Sequence, residues 1–182
     1  MRSLTLSRDQ KSMAKTSRRD RSPLVGESPV DALVRRLALP PSADFGDLSH
    51  AVETLYGRKL RFKEIRGAAL HSTTGIVFDA PTFTGVMVAA EDSKYYSLLS
   101  RIHELSHLII RSAPDDWFSA ELPRPKQPQQ QSRLFLRLCP RNSNETTDED
   151  AVREEALVEE LARALVRRLR AFESSSEEDH FA

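Results

Sequence analysis

The chain has one cysteine, Cys139, among its 182 residues, so an intramolecular disulfide is excluded and a reducing compartment is expected. It also lacks any apolar run near the roughly 18 residues that a membrane helix needs. The N-terminus has no apolar segment of the kind found in secretory signals. Lysine plus arginine and aspartate plus glutamate both total 27, so the overall charge gives no argument for nucleic-acid or membrane binding. These absences predict a soluble cytoplasmic protein.

Composition divides the chain into a central domain with two tails. Residues 1–28 are basic and poor in apolar side chains, which predicts a disordered tail. No aromatic residue interleaves these charges, so a nucleic-acid-binding arm is the less favoured interpretation. Residues 29–173 are enough for a single domain with its own core, with a proline- and glutamine-rich, loop-rich insertion at 114–147. Residues 174–182 predict an acidic disordered tail.

Apolar residues at helical spacing predict four helices. The first opens at Pro29 and stops before Pro40, and the second spans Phe45–Tyr56 with Asp44 as a possible N-cap. A third helix follows a cap at Asp92 or Ser93. The last covers about 148–172, with acidic residues at its start and arginines at its end, as the helix dipole favours.

Alternating and β-branched runs between the second and third helices predict strands. They are RKLRFKEI, GIVFD (75–79) and TGVMVAAE (84–91), of which the last two suit a hairpin. A further segment, LFLRL (134–138), suits either a short strand or a helical turn. The expected fold is therefore α+β, with a small antiparallel sheet.

The third helix contains the segment HELSH, in which His103 and His107 are four residues apart. In an α-helix this spacing places both side chains on one line, where both can reach one metal ion. Glu104 is rotated off that line, so it can act on a metal-bound water without binding the metal itself. HExxH on a helix thus predicts two zinc ligands and a general base. The competing interpretation is two surface histidines on a solvated stripe.

A third ligand must come from elsewhere in the chain, and the last helix supplies glutamates. Apolar markers on this helix place Glu155 and Glu159 next to the buried face and make Glu154 and Glu160 look more exposed. The markers used are Val152, Ala156, Leu161, Leu165 and Leu169. Either Glu155 or Glu159 would complete a His-His-Glu site, which favours zinc.

The combination of these motifs resembles the ImmA/IrrE metallopeptidases, particularly compact bacterial members from actinobacteria and phages. The resemblance covers roughly residues 30–172 and rests on GRKLRF, TTGIVFD and GVMVAAE in that order, HELSH, and EALVEELARALV in the last helix. It implies that His103, His107 and Glu155 bind zinc and that Glu104 is the catalytic base. A register shifted by one turn would choose Glu159 instead of Glu155.

The resemblance also implies a fold and a function. The fold would be a zincin-like metallopeptidase domain, with a small antiparallel sheet packed against an active-site helix and a C-terminal helix. The function would be that of a zinc-dependent endopeptidase, a monomer that cleaves a helix-turn-helix repressor encoded nearby. The alternatives are a non-catalytic regulator of the same fold, a toxin-antitoxin component, and a DNA-associated regulator that uses the basic tail.

Two further expectations concern how substrate would bind. The strand GVMVAAE, expected nearest to the HELSH helix, would take up an extended substrate by strand addition. Tyr95 and Tyr96 are predicted mainly as packing residues, with an oxyanion-stabilising role as the less favoured alternative.

Overall fold

The computed structural model describes residues 28–67, 73–122, 124–125, 136–140 and 149–169. Apart from Ser28, the predicted basic tail of 1–28 lies outside the described residues, as does the predicted acidic tail of 174–182. Ser28 itself belongs to the folded domain, because its side chain accepts a hydrogen bond from the backbone N–H of Asp31 and caps the first helix.

Local capping interactions define the first two helices. Helix α1 spans Pro29–Arg36, with proline in the first turn, where its missing N–H costs no helical hydrogen bond. Helix α2 spans Phe45–Tyr56, as the sequence predicts. Its N-terminus is closed by a capping box between Asp44 and Asp47, and Gly57 ends it in the left-handed conformation with φ of 74°, which glycine adopts without steric cost.

Four described strands form one sheet in the order β1-β3-β2-β4. They are β1 (Lys59–Ile65), β2 (Thr73–Asp79), β3 (Phe83–Ala89) and β4 (Leu136–Pro140). Strands β2 and β3 are antiparallel neighbours, as expected for a hairpin, and β4 pairs antiparallel with β2. Strand β4 includes the last three residues of the LFLRL segment, as its strand alternative predicts, whereas residues 134–135 lie outside the described residues. The predicted insertion at 114–147 therefore contributes a strand to the domain.

The sheet is mixed, so the prediction of an antiparallel sheet is wrong. Strand β1 pairs with β3 in parallel, with Lys59 opposite Phe83 and Ile65 opposite Ala89. Alternation of apolar residues specifies which face of a strand is buried but not which strand lies beside it. The same arrangement overturns the prediction of substrate addition to GVMVAAE, because β3 lies between β1 and β2 and is paired on both edges.

Helix α3 is the centre of the domain. It spans Lys94–Ser112 with Ser93 as N-cap, and it packs against α2, α4, β2 and β3. Ile102, Leu105 and Ile109 on its inner face are fully buried. Helix α4 spans Glu149–Leu169 and packs on α3 and α1. Because α3 is enclosed by its neighbours, the side chains of HELSH are held in a fixed setting.

The described residues thus form an α+β fold in which helices cover the sheet. A short 3-10 helix, Asp115–Trp117, follows α3 and lies against α1. Among the helices described, none combines the length and apolar composition needed to cross a lipid bilayer.

Candidate metal centre

Two histidine side chains of α3 face the same small volume. His103 and His107 are one helical turn apart, and their Nε2 atoms lie 3.2 Å from each other. The ring planes are inclined at 79° with centroids 4.9 Å apart. His107 is buried and His103 is half-buried. The two rings thus converge in the way that their i, i+4 spacing predicts.

The carboxylate of Glu155 on α4 lies against both rings. Its Oε1 is 3.4 Å from Nε2 of His107, and its Oε2 is 3.5 Å from Nε2 of His103. One ligand atom from each of the three residues can be chosen so that all lie within 4.8 Å of one another. The packing of α4 on α3 therefore brings Glu155 to the two histidines that the sequence singled out.

The spacing of the two imidazole nitrogens suits two ligands of a tetrahedral divalent ion. Ligands at the usual zinc distances of about 2.0–2.1 Å stand about 3.3 Å apart when the angles are tetrahedral. The two Nε2 atoms are 3.2 Å apart, and each has a different oxygen of the Glu155 carboxylate at 3.4 or 3.5 Å. Two imidazoles and one carboxylate also leave a fourth position for water. The cluster could hold a metal ion, although this donor set by itself is not specific for zinc.

Glu159, the alternative third ligand, is turned away from the histidines. Its side chain is 50% exposed, and its Oε2 accepts a hydrogen bond of 2.9 Å from Arg163 on the next turn. Glu159 lines the cleft beside the cluster but is not among the described residues that come within ligand distance of both imidazoles. The helix register thus brings Glu155, and not Glu159, to the histidines.

Glu154 was predicted to be exposed, and that prediction is wrong. Its side chain is only 14% exposed, and its Oε1 lies 3.4 Å from Nδ1 of His107. The error came from the apolar markers Val152 and Ala156, which are both exposed. The buried face of α4 begins one turn later and consists of Leu157, Val158, Leu161, Ala162, Ala164, Leu165 and Leu169.

The sequence does contain a feature that indicates the position of Glu154, namely that it directly precedes Glu155. Neighbouring residues on a helix differ by about 100°, so Glu154 and Glu155 can approach one imidazole from two sides. In the structure they do so, with Glu154 at Nδ1 and Glu155 at Nε2 of His107.

Glu104, the candidate base, is fully buried and held against strand β2. The Thr74 hydroxyl donates a hydrogen bond of 3.3 Å to its Oε1. Gly75 makes room for it, because a Cβ atom at that position would stand 2.7 Å from Oε1 and 2.8 Å from Cγ of Glu104. Thr74 also lines the cleft that contains His103 and Glu155, so the Glu104 carboxylate is one hydrogen bond away from that cleft.

A cleft of about 640 Å³ opens beside the cluster between α3 and α4. His103 and Glu155 form part of its wall. Tyr95 and Tyr96 also line it and are 48% and 58% exposed, so neither packs into the core. Both precede the buried part of α3, where the helix extends past the core and faces solvent.

Family models, curated proteins and solved structures were all compared with this chain, and no match was found.

Proposed function

We propose that this chain is a zinc-dependent endopeptidase of the ImmA/IrrE type with a zincin-like fold. The observation that carries the proposal is the cluster of His103, His107 and Glu155, each of which offers a ligand atom within 4.8 Å of the others. This cluster adjoins a cleft large enough for a peptide segment. Its two histidines belong to a HExxH motif, and the glutamate of that motif, Glu104, is not one of the three donors.

His103, His107 and Glu155 would hold the ion. When bound there, zinc would supply Lewis acidity, making a water nucleophilic near neutral pH and polarising the carbonyl of the substrate. Glu104 would accept the proton of the attacking water and pass it to the leaving amine. Thr74, through its hydrogen bond to Oε1, would fix the orientation of the Glu104 carboxylate for this transfer.

The substrate would be a cytoplasmic protein. The resemblance to the ImmA/IrrE family supports a helix-turn-helix repressor encoded nearby, cleaved by a monomeric enzyme. This assignment rests on the likeness of motifs, because fold and motif together do not identify a substrate.

A second candidate is favoured by the complete burial of Glu104. A base that does not reach the attacking water would leave a metal-binding but non-catalytic regulator or toxin-antitoxin component. In that case the cluster would have a structural role, and Glu104 would serve packing and its hydrogen bond to Thr74.

The experiment compares the zinc-loaded wild type with Glu104→Gln on the intact proteome of the source organism. New N-termini are labelled and identified by mass spectrometry, and zinc content is measured on the same samples. We expect both proteins to keep zinc, since Glu104 is not one of the clustered donors, and only the wild type to generate new termini. The glutamine amide retains the shape of the side chain but cannot accept a proton.

Glu160→Gln is the matched control, because Glu160 is an exposed glutamate of α4. It should cleave the same sites as the wild type. If the wild type binds zinc but no cleavage depends on Glu104, the peptidase is rejected and the non-catalytic candidate is supported. Absence of zinc binding by the wild type would reject both roles for the metal.

A further inference from the structure

The cleft beside the candidate metal centre extends along one face of each of two helices. On α3 its lining residues recur at helical spacing from Tyr95 to His103, and on α4 from Glu155 to Arg167. The residues that define the metal cluster therefore form one part of a longer groove. A polypeptide bound at the cluster would place its neighbouring side chains in the rest of this groove.

The walls of the groove away from the cluster are largely apolar. Tyr95 and Tyr96 pack edge to face with ring centroids 5.3 Å apart, and Leu99 and Val166 also line the groove. Tyr95 and Tyr96 are two of the three exposed large hydrophobic residues among those described, the third being Val152. Two such rings beside one groove leave apolar surface that a ligand would cover favourably.

The charged residues of the same groove have partners within the chain. Arg163 is 2.9 Å from Glu159, and Arg167 is 3.9 Å from Asp31. Groups that are already paired gain less from an additional opposite charge on a ligand. Selection within the groove would therefore come from its apolar walls.

Tyr96 precedes His103 by seven residues, or roughly 10 Å along the helix, which an extended peptide spans in about three residues. We propose that this groove is the specificity subsite of the peptidase and takes a large apolar side chain, such as leucine, phenylalanine or methionine, about two or three residues from the scissile bond. The contact residues would be Tyr95, Tyr96, Leu99 and Val166, which line the same cleft as His103 and Glu155. This inference rests on the proposed function, since it requires a metal at the cluster to position the peptide.

Two hydroxamates with the same chelating group separate the side-chain subsite from the metal. The leucine compound, acetyl-Leu-Gly-Gly hydroxamate, and the glycine compound, acetyl-Gly-Gly-Gly hydroxamate, are titrated into the zinc-loaded full chain by calorimetry. Burial of a leucine side chain gives at least about a tenfold gain in affinity over the glycine compound. The corresponding glutamate compound should gain nothing over glycine, because Arg163 and Arg167 are already paired with Glu159 and Asp31.

Tyr96→Ala and Leu99→Ala should each reduce the preference for leucine over glycine by at least about threefold, because each removes apolar wall surface. Zinc content, measured on the same samples, reports whether the metal site is intact. Val152→Ala is the matched control, since Val152 is equally an exposed apolar residue but does not line the groove. Tyr96 is exposed, so its truncation leaves the core intact even if the Leu99 variant is unstable.

Equal affinity for the leucine and glycine compounds would reject the proposed subsite but not the proposed metal centre. Tighter binding of the glutamate compound would also overturn it. If the chain binds neither zinc nor the glycine compound, the proposed function fails, and the subsite fails with it.

Discussion

Glu154 and His107 face each other across the contact between α4 and α3, with Oε1 of the glutamate 3.4 Å from Nδ1 of the imidazole. Nδ1 is the ring nitrogen not directed at His103 and Glu155. A carboxylate at this position favours the tautomer with the proton on Nδ1, which leaves the lone pair of Nε2 for a metal. Glu154 thus has the geometry of a residue that would position His107 for metal binding.

Truncation of Glu154 should weaken metal binding without removing a ligand. We expect Glu154→Ala to lower zinc affinity by about 10- to 100-fold, the range for losing the partner of a ligating histidine. Glu154→Gln should lower it less, because an amide oxygen at this position also attracts an Nδ1–H group, although more weakly than a carboxylate does. Zinc affinity is measured by competition with a chromophoric chelator, with Glu160→Ala as control for an exposed glutamate of the same helix. Equal zinc affinity in wild type and Glu154→Ala would exclude the positioning role.

Gly75 should be required for the placement of Glu104. A methyl group there would overlap Oε1, Cγ and Cδ of Glu104, so Gly75→Ala forces the carboxylate away from Thr74. We expect loss of peptide cleavage with zinc retained, and a loss of stability of about 1–3 kcal/mol from overpacking.

Gly85→Ala provides the matched control for this overpacking. A Cβ at Gly85 would overlap the ring of Phe78 and would leave Glu104 unaffected. It should lose comparable stability but keep cleavage per folded molecule. Urea denaturation measures stability. Cleavage is measured at the peptide bonds whose hydrolysis depends on Glu104. Similar cleavage by both alanine variants would show that Gly75 has only a packing role.

Where the determinants are local, the sequence predicts this structure closely. The ends of α2 follow from the capping box of Asp44 and from Gly57 in the left-handed conformation, both of which act within one turn. The convergence of His103 and His107 likewise follows from helix geometry alone.

The remaining features depend on contacts between segments far apart in the chain. The partner of β1 is decided by packing across the sheet, which alternation along one strand does not encode. The sequence wrongly predicts an exposed Glu154 because it takes Val152 as a marker of the buried face. Val152 lies on a turn of α4 that extends beyond the core and is exposed. Gly75 was not singled out because its function depends on a side chain of α3 that approaches it only in the fold.

Because Tyr56 donates a hydrogen bond to Asp79, the free energy of unfolding should decrease as the pH rises through the alkaline range. The Tyr56 hydroxyl donates to Oδ2 of Asp79 at 2.9 Å, and burial, followed by this hydrogen bond, raises the pKa of Tyr56. The folded state therefore holds the phenolic proton more tightly than the unfolded state. The resulting stabilisation is present below the unfolded pKa of about 10 and is lost as pH rises through the folded value.

Tyr56→Phe tests this linkage. We expect it to lower the free energy of unfolding by about 1 kcal/mol at neutral pH, because a partly buried hydrogen bond is lost. The difference in free energy of unfolding between wild type and Tyr56→Phe should be smaller at about pH 10.5, where the tyrosine of the unfolded state ionises. Urea denaturation at both pH values measures it, with Tyr95→Phe as the exposed control. A difference that stays constant or widens with pH would contradict the linkage.

The two candidate third ligands, Glu155 and Glu159, can be separated by metal retention. Only Glu155 lies within 3.5 Å of Nε2 of both histidines, whereas Glu159 is half exposed and bound to Arg163. Glu155→Ala should therefore lower zinc affinity by at least about tenfold, and Glu159→Ala should change it little. Zinc is measured after dialysis against a weak chelator, and circular dichroism verifies equal helicity. Metal lost from the Glu159 variant and kept by the Glu155 variant would mean that α4 docks on α3 one turn away from the register found here. Metal kept by both would mean that a residue other than Glu155 and Glu159 completes the site.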